Sequence, residues 1–260
     1  MRKKRQKAQI LYYQSFTDDF IESRNQFFQL PKDYSWIHES VLYRGISHII
    51  YLLGETFAFF YCRFALHVKV KNRSILRQYR HNGFFLYGNH TQPVGDAFIP
   101  IRVTAPKRGY AVVSSANLGI PVLGAFLPAL GALPLPETFS GMKRLNEAIR
   151  QRIREGCCVV LYPEAHVWPW YTGIRPFPAS AFGYPVECSA PSFCMTTTYQ
   201  KRKHRKKPGI TVYLDGPFYP DVQLSNKEQK GRLRDKVYNC MMKRSRESTY
   251  RYIIYEEEKN

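Results

Sequence analysis

Three short stretches of the sequence contain residue types that could do chemistry. In the first, NHTQPVGDAF, His90 directly follows a predicted buried strand, and Asp96 stands six positions later. A neutral imidazole accepts a proton near pH 7, and a carboxylate bonded to its other nitrogen fixes the tautomer and stabilises the imidazolium. The alternative is that Asp96 only caps the next helix and His90 is an ordinary loop residue. Spacing alone favours this second interpretation.

The second stretch, LYPEAHVWPWYTGIRPF, places Glu164 at the end of an apolar strand and Arg175 a short distance further on. A carboxylate in that position is costly unless another group satisfies it, so a structural Glu–Arg pair is one interpretation. The other is a binding site for a phosphorylated substrate that bears a hydroxyl, because arginine binds phosphate through two parallel hydrogen bonds.

The third stretch is the pair Lys143 and Arg144, near the start of a predicted basic helix. Such a pair usually belongs to a solvated face. It could clamp a phosphate if the chain folds back so that the pair meets the other two stretches.

The composition excludes wholesale disorder, since 44% of the 260 residues are hydrophobic and 15% are aromatic. The 39 Lys and Arg residues against 20 Asp and Glu give a net charge of +19, which attracts nucleic acid, anionic lipid, phosphorylated substrates and acidic carrier proteins. Specific nucleic-acid binding is disfavoured because the basic residues are scattered and form no recognisable motif. The six cysteines show no zinc-ligand spacing, so we expect no metal and reduced thiols, as on a cytosolic face.

Residues 1–63 are predicted to form a basic leader, MRKKRQKAQ, and an amphipathic helical segment that associates with the membrane. Residues 1–40 are expected to be helical or irregular. A helix over 41–63 could pack on the core, lie in the membrane interface or, least favoured because of Glu55, span the bilayer. Its apolar residues recur at helical spacing, at Leu42, Ile46, Ile49, Ile50, Leu53, Phe57 and Phe60.

Residues 64–260 alternate predicted strands with helices, which indicates an α/β domain with a mixed, mostly parallel sheet flanked by helices. Asp96 is expected as a helix N-cap, 140–156 as a helix, and 185–198 as a strand pair or one long strand. The uncharged stretch 109–136 could be core, wall an acyl groove or dip into lipid. The other predicted strands are 64–72, FFLYGN, YAVVSS, GALPLP, CCVVLYPEAH and ITVYLDGPFY, with a hairpin tip at 200–209 and a last helix at 225–247.

Taken in order, these stretches resemble the glycerolipid acyltransferase family, in particular bacterial 1-acylglycerol-3-phosphate acyltransferases. YGNHTQPVGDAFIP resembles the first family motif, ANLGIPVLGAFLPALGALPLP the approach to the second, and VVLYPEAH the third. RPFPASAFGYPVECSAP is similar to the Pro-Phe run and to the later motif that ends in proline, with Pro191 as the nearest match to that proline. The resemblance covers residues 40–220.

The sequence also departs from the family pattern. Five residues separate His90 from Asp96 where four are usual, and the third motif has Ala165-His166-Val167 in place of Gly-Thr-Arg. Arg175 or His166 could replace that missing arginine. The arginine of the second motif is also absent, and Lys143 and Arg144 are its nearest replacements. Such changes fit a divergent acceptor or a reduced activity.

The resemblance implies an O-acyltransferase of phospholipid biosynthesis that moves a fatty acyl group from a thioester to 1-acylglycerol-3-phosphate, giving phosphatidate. His90 would be the general base, Asp96 would orient it, and backbone N–H groups near the Gly95–Asp96 helix start could stabilise the oxyanion. Neither cofactor nor metal is required. The implied substrate-binding residues are Glu164, Arg175, Lys143, Arg144 and His166.

The implied partners are acyl-CoA or acyl carrier protein as the donor and membrane lipids. The implied location is the cytoplasmic face of the cell membrane, as a peripheral or monotopic protein. Two alternatives remain: an acyltransferase for another lysolipid or lipid-linked acceptor, and a non-catalytic protein that binds lipid or polyanions.

Overall fold

The structure is a computed structural model that describes residues 9–21, 28–203 and 205–258. Short 3₁₀ or π-helical segments cover Tyr61–Ala65, Arg73–Tyr79, Ser115–Gly119 and Ala179–Phe182. The helices are α1 (Val41–Phe60), α2 (Gly95–Thr104), α3 (Leu123–Phe126), α4 (Phe139–Arg154), α5 (Gly183–Cys188) and α6 (Asn226–Ser245). The strands are β1 (Gln9–Tyr13), β2 (Lys69–Lys71), β3 (Phe84–Gly88), β4 (Gly109–Val113), β5 (Ala132–Pro134), β6 (Cys158–Leu161), β7 (Ser192–Gln200), β8 (Gly209–Phe218) and β9 (Ile253–Glu257).

The main sheet has seven strands in the order β2-β8-β7-β3-β6-β4-β5. Neighbouring strands run parallel except β7 and β8, which form an antiparallel hairpin. The predicted mixed, mostly parallel α/β sheet is therefore confirmed. Because β3, β6, β4 and β5 run in the same direction, the loops that follow them all leave from one edge of the sheet, where α/β proteins collect functional groups.

The core lies on both faces of β3, a central strand whose five residues are all buried. Phe85 and Tyr87 belong to the cluster that contains the apolar side chains of α4 and α6. Phe84 and Leu86 face the opposite cluster, which includes Ile99 of α2. A parallel strand that is covered on both sides reads as a continuous apolar run, which is why FFLYG was recognisable in the sequence.

Helix α1 turns its predicted apolar face away from the core. The buried residues of α1 are Ser47, Tyr51 and Ala58; the Ser47 hydroxyl donates to Ala129 O at 3.0 Å, and the Tyr51 hydroxyl accepts from Gly109 N at 2.8 Å. The interpretation in which the apolar face packs on the core is therefore wrong. The exposed apolar side chains include Leu42, Ile46, Ile49, Leu53, Phe57 and Phe60.

The continuous helical stretch Val41–Ala65 is long and apolar enough to cross a membrane, judged by length and composition, and it is the one such helix within the described residues. Its helical character was predicted from the spacing of its apolar residues. The basic leader at residues 1–8 lies outside the described residues.

Several predicted elements are corrected by the structure. Residues 9–13, expected to be helical or irregular, form β1, which pairs in parallel with β9 in a separate two-stranded sheet. The predicted strand at 64–72 is reduced to β2, because its first residues continue α1 as a π-helical turn. The residues Pro185–Cys188, expected to be extended, lie in α5. Strands β1 and β9 depend on pairing across almost the whole chain, which local patterns do not show.

Candidate active site

His90 and Asp96 meet at the edge of the sheet where β3 ends. The Nδ1 atom of His90 lies 2.7 Å from Oδ2 of Asp96, and the backbone N–H of Gln92 donates to the same oxygen at 2.9 Å. An ionised carboxylate only accepts hydrogen bonds, so we assign the ring proton to Nδ1. The Nε2 atom then presents its lone pair, and it has no hydrogen-bond partner among the described residues. With the His90 side chain 20% exposed, this nitrogen is placed to accept a proton.

The five-residue spacing is accommodated by a helical turn that begins before α2. The backbone N–H of Asp96 donates to Gln92 O at 3.0 Å, which turns the Asp96 side chain back towards His90. The prediction that Asp96 is the N-cap is wrong: Val94 occupies that position without a side-chain bond, and Asp96 lies in the first turn of α2. Because the backbone N–H of Asp96 donates to Gln92 O, it is not available to stabilise an oxyanion.

The backbone around His90 is held from both sides. The Asn89 side chain donates to Thr197 O at 3.0 Å and accepts from Thr197 N at 2.7 Å, which fixes it to β7. On the other side, the N–H of Trp168 donates to His90 O at 3.0 Å. These buried bonds place the imidazole on a rigid support. Asn89 was visible in the sequence as part of the Asn-His pair, whereas nothing local indicated Thr197.

Tyr162 was not recognised from the sequence, although it belongs to the site. Its ring stacks on the His90 ring with 4.4 Å between centroids and 19° between planes. Its hydroxyl donates to Asp96 O at 2.7 Å, and burial raises the pKa of this hydroxyl well above its ordinary value. Tyr162 therefore stays neutral and fixes both the plane of the imidazole and the start of α2. In the sequence, the only indication of this role was that Tyr162 is an aromatic residue directly before the Pro-Glu pair.

Glu164 supports His90 from the loop that follows β6, the parallel neighbour of β3. Its Oε2 accepts from His90 N at 3.1 Å and from the Arg175 guanidinium at 3.1 Å, while Oε1 accepts from Arg175 N at 3.0 Å. Burial raises the pKa of the Glu164 carboxyl, and the charge of Arg175 and the two backbone N–H groups only partly oppose this effect. Glu164 is thus a positioning residue for the backbone of His90.

Arg175 is enclosed within the protein. The side chains of Glu164 and Arg175 are 0% and 1% exposed, and the Arg175 guanidinium also donates to Phe16 O and His166 O and lies over the Trp168 ring. Since the guanidinium is already surrounded by these partners, the geometry favours the structural Glu–Arg pair. A direct contact of Glu164 or Arg175 with substrate is not supported.

The side chains of the three other predicted substrate-binding residues have partners of their own or are exposed, although the backbone carbonyl of His166 accepts from Arg175. Arg144 donates to Lys32 O and lies over the Trp36 ring at 5.7 Å, while its neighbour Lys143 is exposed. His166 forms an ion-pair contact with Asp19, with 3.2 Å between Nδ1 and Oδ2. Within the described part of the chain, none of their recorded hydrogen bonds or ion pairs reaches His90, so their roles remain predictions.

One group of residues has the geometry of a possible metal site among the described residues, and it is separate from His90. The ligand atoms of Cys194, Asp215 and Cys240 lie within 4.8 Å of one another. Arg244 already donates to both carboxylate oxygens of Asp215, at 2.7 and 2.8 Å. The positive charge of Arg244 opposes the binding of a metal cation at this group. Because the group is also separate from His90, it has no part in the chemistry of the imidazole.

The surface beside His90 is apolar. Val94, at the turn between His90 and α2, is 55% exposed, and Phe98 of α2 packs against Phe57 and Tyr61 at the end of α1. The uncharged stretch 109–136 is not simply core, because several of its apolar side chains face outwards. These are Ile120, Val122, Leu123, Phe126 and Leu135. Exposed apolar surface of this extent is typical of lipid or protein contact.

Comparison with known proteins supports the fold. No protein-family model and no curated protein sequence matches the chain. A solved structure with a similar fold is the 1-acyl-sn-glycerophosphate (LPA) acyltransferase PlsC from Thermotoga maritima, with a TM-score of 0.52 and 14% identity over 80% of this chain and 84% of that chain. The chain therefore has the α/β fold of that acyltransferase, and the fold implied by the sequence resemblance is confirmed.

Proposed function

We propose that this protein is a membrane-associated glycerolipid O-acyltransferase, with 1-acylglycerol-3-phosphate as the acceptor and phosphatidate as the product. The observation on which this proposal rests is the 2.7 Å bond between His90 and Asp96, which leaves Nε2 of the imidazole available at the exposed edge of the sheet. Such a pair is suited to remove a proton from a hydroxyl group. The fold of the similar acyltransferase and the apolar surface next to His90 support a lipid substrate.

The reaction needs one base and no redox chemistry. The acceptor hydroxyl gives its proton to Nε2 of His90 while its oxygen bonds to the carbonyl carbon of an acyl thioester. The carbon–sulfur bond then breaks as the tetrahedral intermediate collapses, and the leaving sulfur takes the proton from the imidazolium. Asp96 stabilises the imidazolium between these two steps, and the products are an ester and a free thiol.

Positive side chains near the carboxyl edge of the sheet would hold the acceptor phosphate. Because Arg175 is enclosed, Lys143 and His166 are the more accessible of the predicted substrate-binding residues for this role. The donor would be acyl-CoA or acyl carrier protein, both of which are anionic and suit a chain with a net charge of +19. The exposed apolar face of α1 would keep the enzyme at the membrane surface that contains its acceptor.

The test is a thiol-release assay on the purified protein, with acyl-CoA or acyl carrier protein as donor and mass spectrometry of the lipid product. We expect release of thiol that depends on lysophosphatidate, together with formation of phosphatidate. Turnover with a different lysolipid or a lipid amine, but not with lysophosphatidate, would identify that compound as the acceptor instead. Binding to vesicles without turnover on any acceptor would contradict the enzyme assignment.

A further inference from the structure

A second site lies at the edge of the sheet opposite to His90. Here a cavity of about 590 Å³ is bounded by residues 34–39, the first turns of α1, the end of α4 and the chain just before β4 and β6. Arg108 and Cys157 line it immediately before those strands begin, whereas His90 follows the end of β3. We call this space the amino-edge cavity. It shares no lining residue with the candidate active site.

Three arginines line the amino-edge cavity: Arg44, Arg108 and Arg152. Arg152 is paired with Glu155 at 2.8 Å. Arg44 and Arg108, in contrast, have no carboxylate within 4.0 Å among the described residues. Arg108 is half-buried, and its partners are neutral: it donates to Ser47 Oγ at 2.6 Å and to Ala129 O at 3.0 Å.

The Arg108 guanidinium also lies over the rings of Tyr51 and Tyr110, at 4.9 and 5.3 Å. The buried Nε atoms of Arg108 and Arg152 have no hydrogen-bond partner. A half-buried cation with no acid beside it is costly. An anion in the cavity would supply the missing negative charge beside Arg108.

The remaining titratable groups that line the cavity leave it positive. The two lining carboxylates are Glu155, engaged with Arg152, and Glu39, which is exposed. Burial and the charge of Arg152 lower the pKa of His38, which favours its neutral form. Burial raises the pKa of Tyr34 to about 12, so its hydroxyl remains a donor at neutral pH. His48 also lines the cavity, from the exposed flank of α1.

We propose that the amino-edge cavity binds a phosphate-bearing anion through Arg44, Arg108 and Arg152. Planar guanidinium groups match the oxygens of phosphate through paired hydrogen bonds, and several of them converge here. The cavity is larger than a phosphate ion, so it has room for an organic group attached to it. A phospholipid headgroup and a soluble phosphate share this chemistry.

This site is independent of the proposed acyl transfer, so its test measures binding and not turnover. Inorganic phosphate is titrated into the full chain by calorimetry at constant ionic strength. In a second arm, the full chain is sedimented with phosphatidylcholine vesicles that contain or lack phosphatidylglycerol. The variant is Arg44→Gln, which changes an exposed lining residue, and the matched control is Arg63→Gln, which removes the same charge from the end of the same helical stretch outside the cavity.

We expect saturable phosphate binding that is about tenfold weaker in Arg44→Gln, the loss of one charge-assisted hydrogen bond, and unchanged in Arg63→Gln. Binding of phosphatidylglycerol vesicles, without binding of free phosphate but with the same dependence on Arg44, would assign the site to a lipid headgroup. If Arg44→Gln and Arg63→Gln behave alike in both arms, the positive charge acts only as a general attraction and the proposal is overturned.

Discussion

Replacement of Asp96 by asparagine tests the His90–Asp96 pair without changing its shape. In the structure, Oδ2 of Asp96 accepts from both His90 Nδ1 and Gln92 N, while Oδ1 is buried without a partner. An asparagine can put its oxygen in the place of Oδ2 and keep both bonds, but it then buries an unpaired NH₂ group at the position of Oδ1. If the amide turns round, the NH₂ group faces Nδ1, and the ring proton moves to Nε2.

The magnitude follows from these two arrangements. If the tautomer is kept, the imidazolium loses a hydrogen bond to a charged group, worth about 1.5–3 kcal/mol, and the turnover number falls by about 10- to 150-fold. If the amide turns round, the base is blocked, and a loss of about 10⁴-fold is expected, as for the same change in a serine-protease triad. In both arrangements KM changes little, because Asp96 does not contact the acceptor in the proposed mechanism.

The assay is thiol release at saturating lysophosphatidate, with the free energy of unfolding measured in parallel. Asp221→Asn is the matched control, since the partly exposed Asp221 carboxylate forms a long ion pair with Arg232, at 3.7 Å, and accepts from Gln223 N at 3.3 Å, far from any predicted site residue in the sequence. The control should retain its turnover. If Asp96→Asn is as stable as the wild type and retains the full turnover number, the carboxylate does not act through His90 and the reasoning fails.

Two further substitutions test the support of the site and the membrane surface. Glu164→Gln should lower the free energy of unfolding by about 3–5 kcal/mol in denaturant titrations, because it leaves the enclosed charge of Arg175 unpaired. The control, Glu187→Gln in an exposed ion pair, should change the free energy of unfolding by less than about 1 kcal/mol. Equal losses in the two variants would contradict the structural role of Glu164. Leu53→Glu, at a side chain that is 67% exposed on α1, should reduce the fraction of protein that floats with vesicles by about tenfold or more. The control is Val222→Glu, at a side chain that is 78% exposed outside α1. If the two variants float equally, α1 is not the membrane surface.

Much of the central sheet could be predicted because its strands are buried and locally marked. FFLYG and CVVL are short apolar runs that end at polar residues, so they located His90 and Glu164 at the ends of strands. Parallel pairing of β3 with β6 then brings His90 and Glu164 together. The order of these motifs along the chain therefore indicated the fold, whereas spacing alone did not decide whether His90 pairs with Asp96.

The remainder depends on contacts between distant parts of the chain. The spacing on α1 predicted an apolar face, but the direction of that face is set by Ser47 and Tyr51, which bond to the chain near β5 and β4. In the same way, the enclosure of Arg175 depends on its bonds to Phe16 and His166 as well as on Glu164. A local pattern cannot distinguish an arginine that faces substrate from one that is packed against Trp168.

The most direct test of the central claim is the turnover number of His90→Ala in the thiol-release assay, compared with His81→Ala, a change at an exposed histidine away from the site. The account predicts that removal of the base lowers turnover by about 10²–10⁴-fold, while His81→Ala keeps the activity of the wild type. Full turnover by a folded His90→Ala protein would contradict the proposal that this imidazole takes the proton from the acceptor hydroxyl.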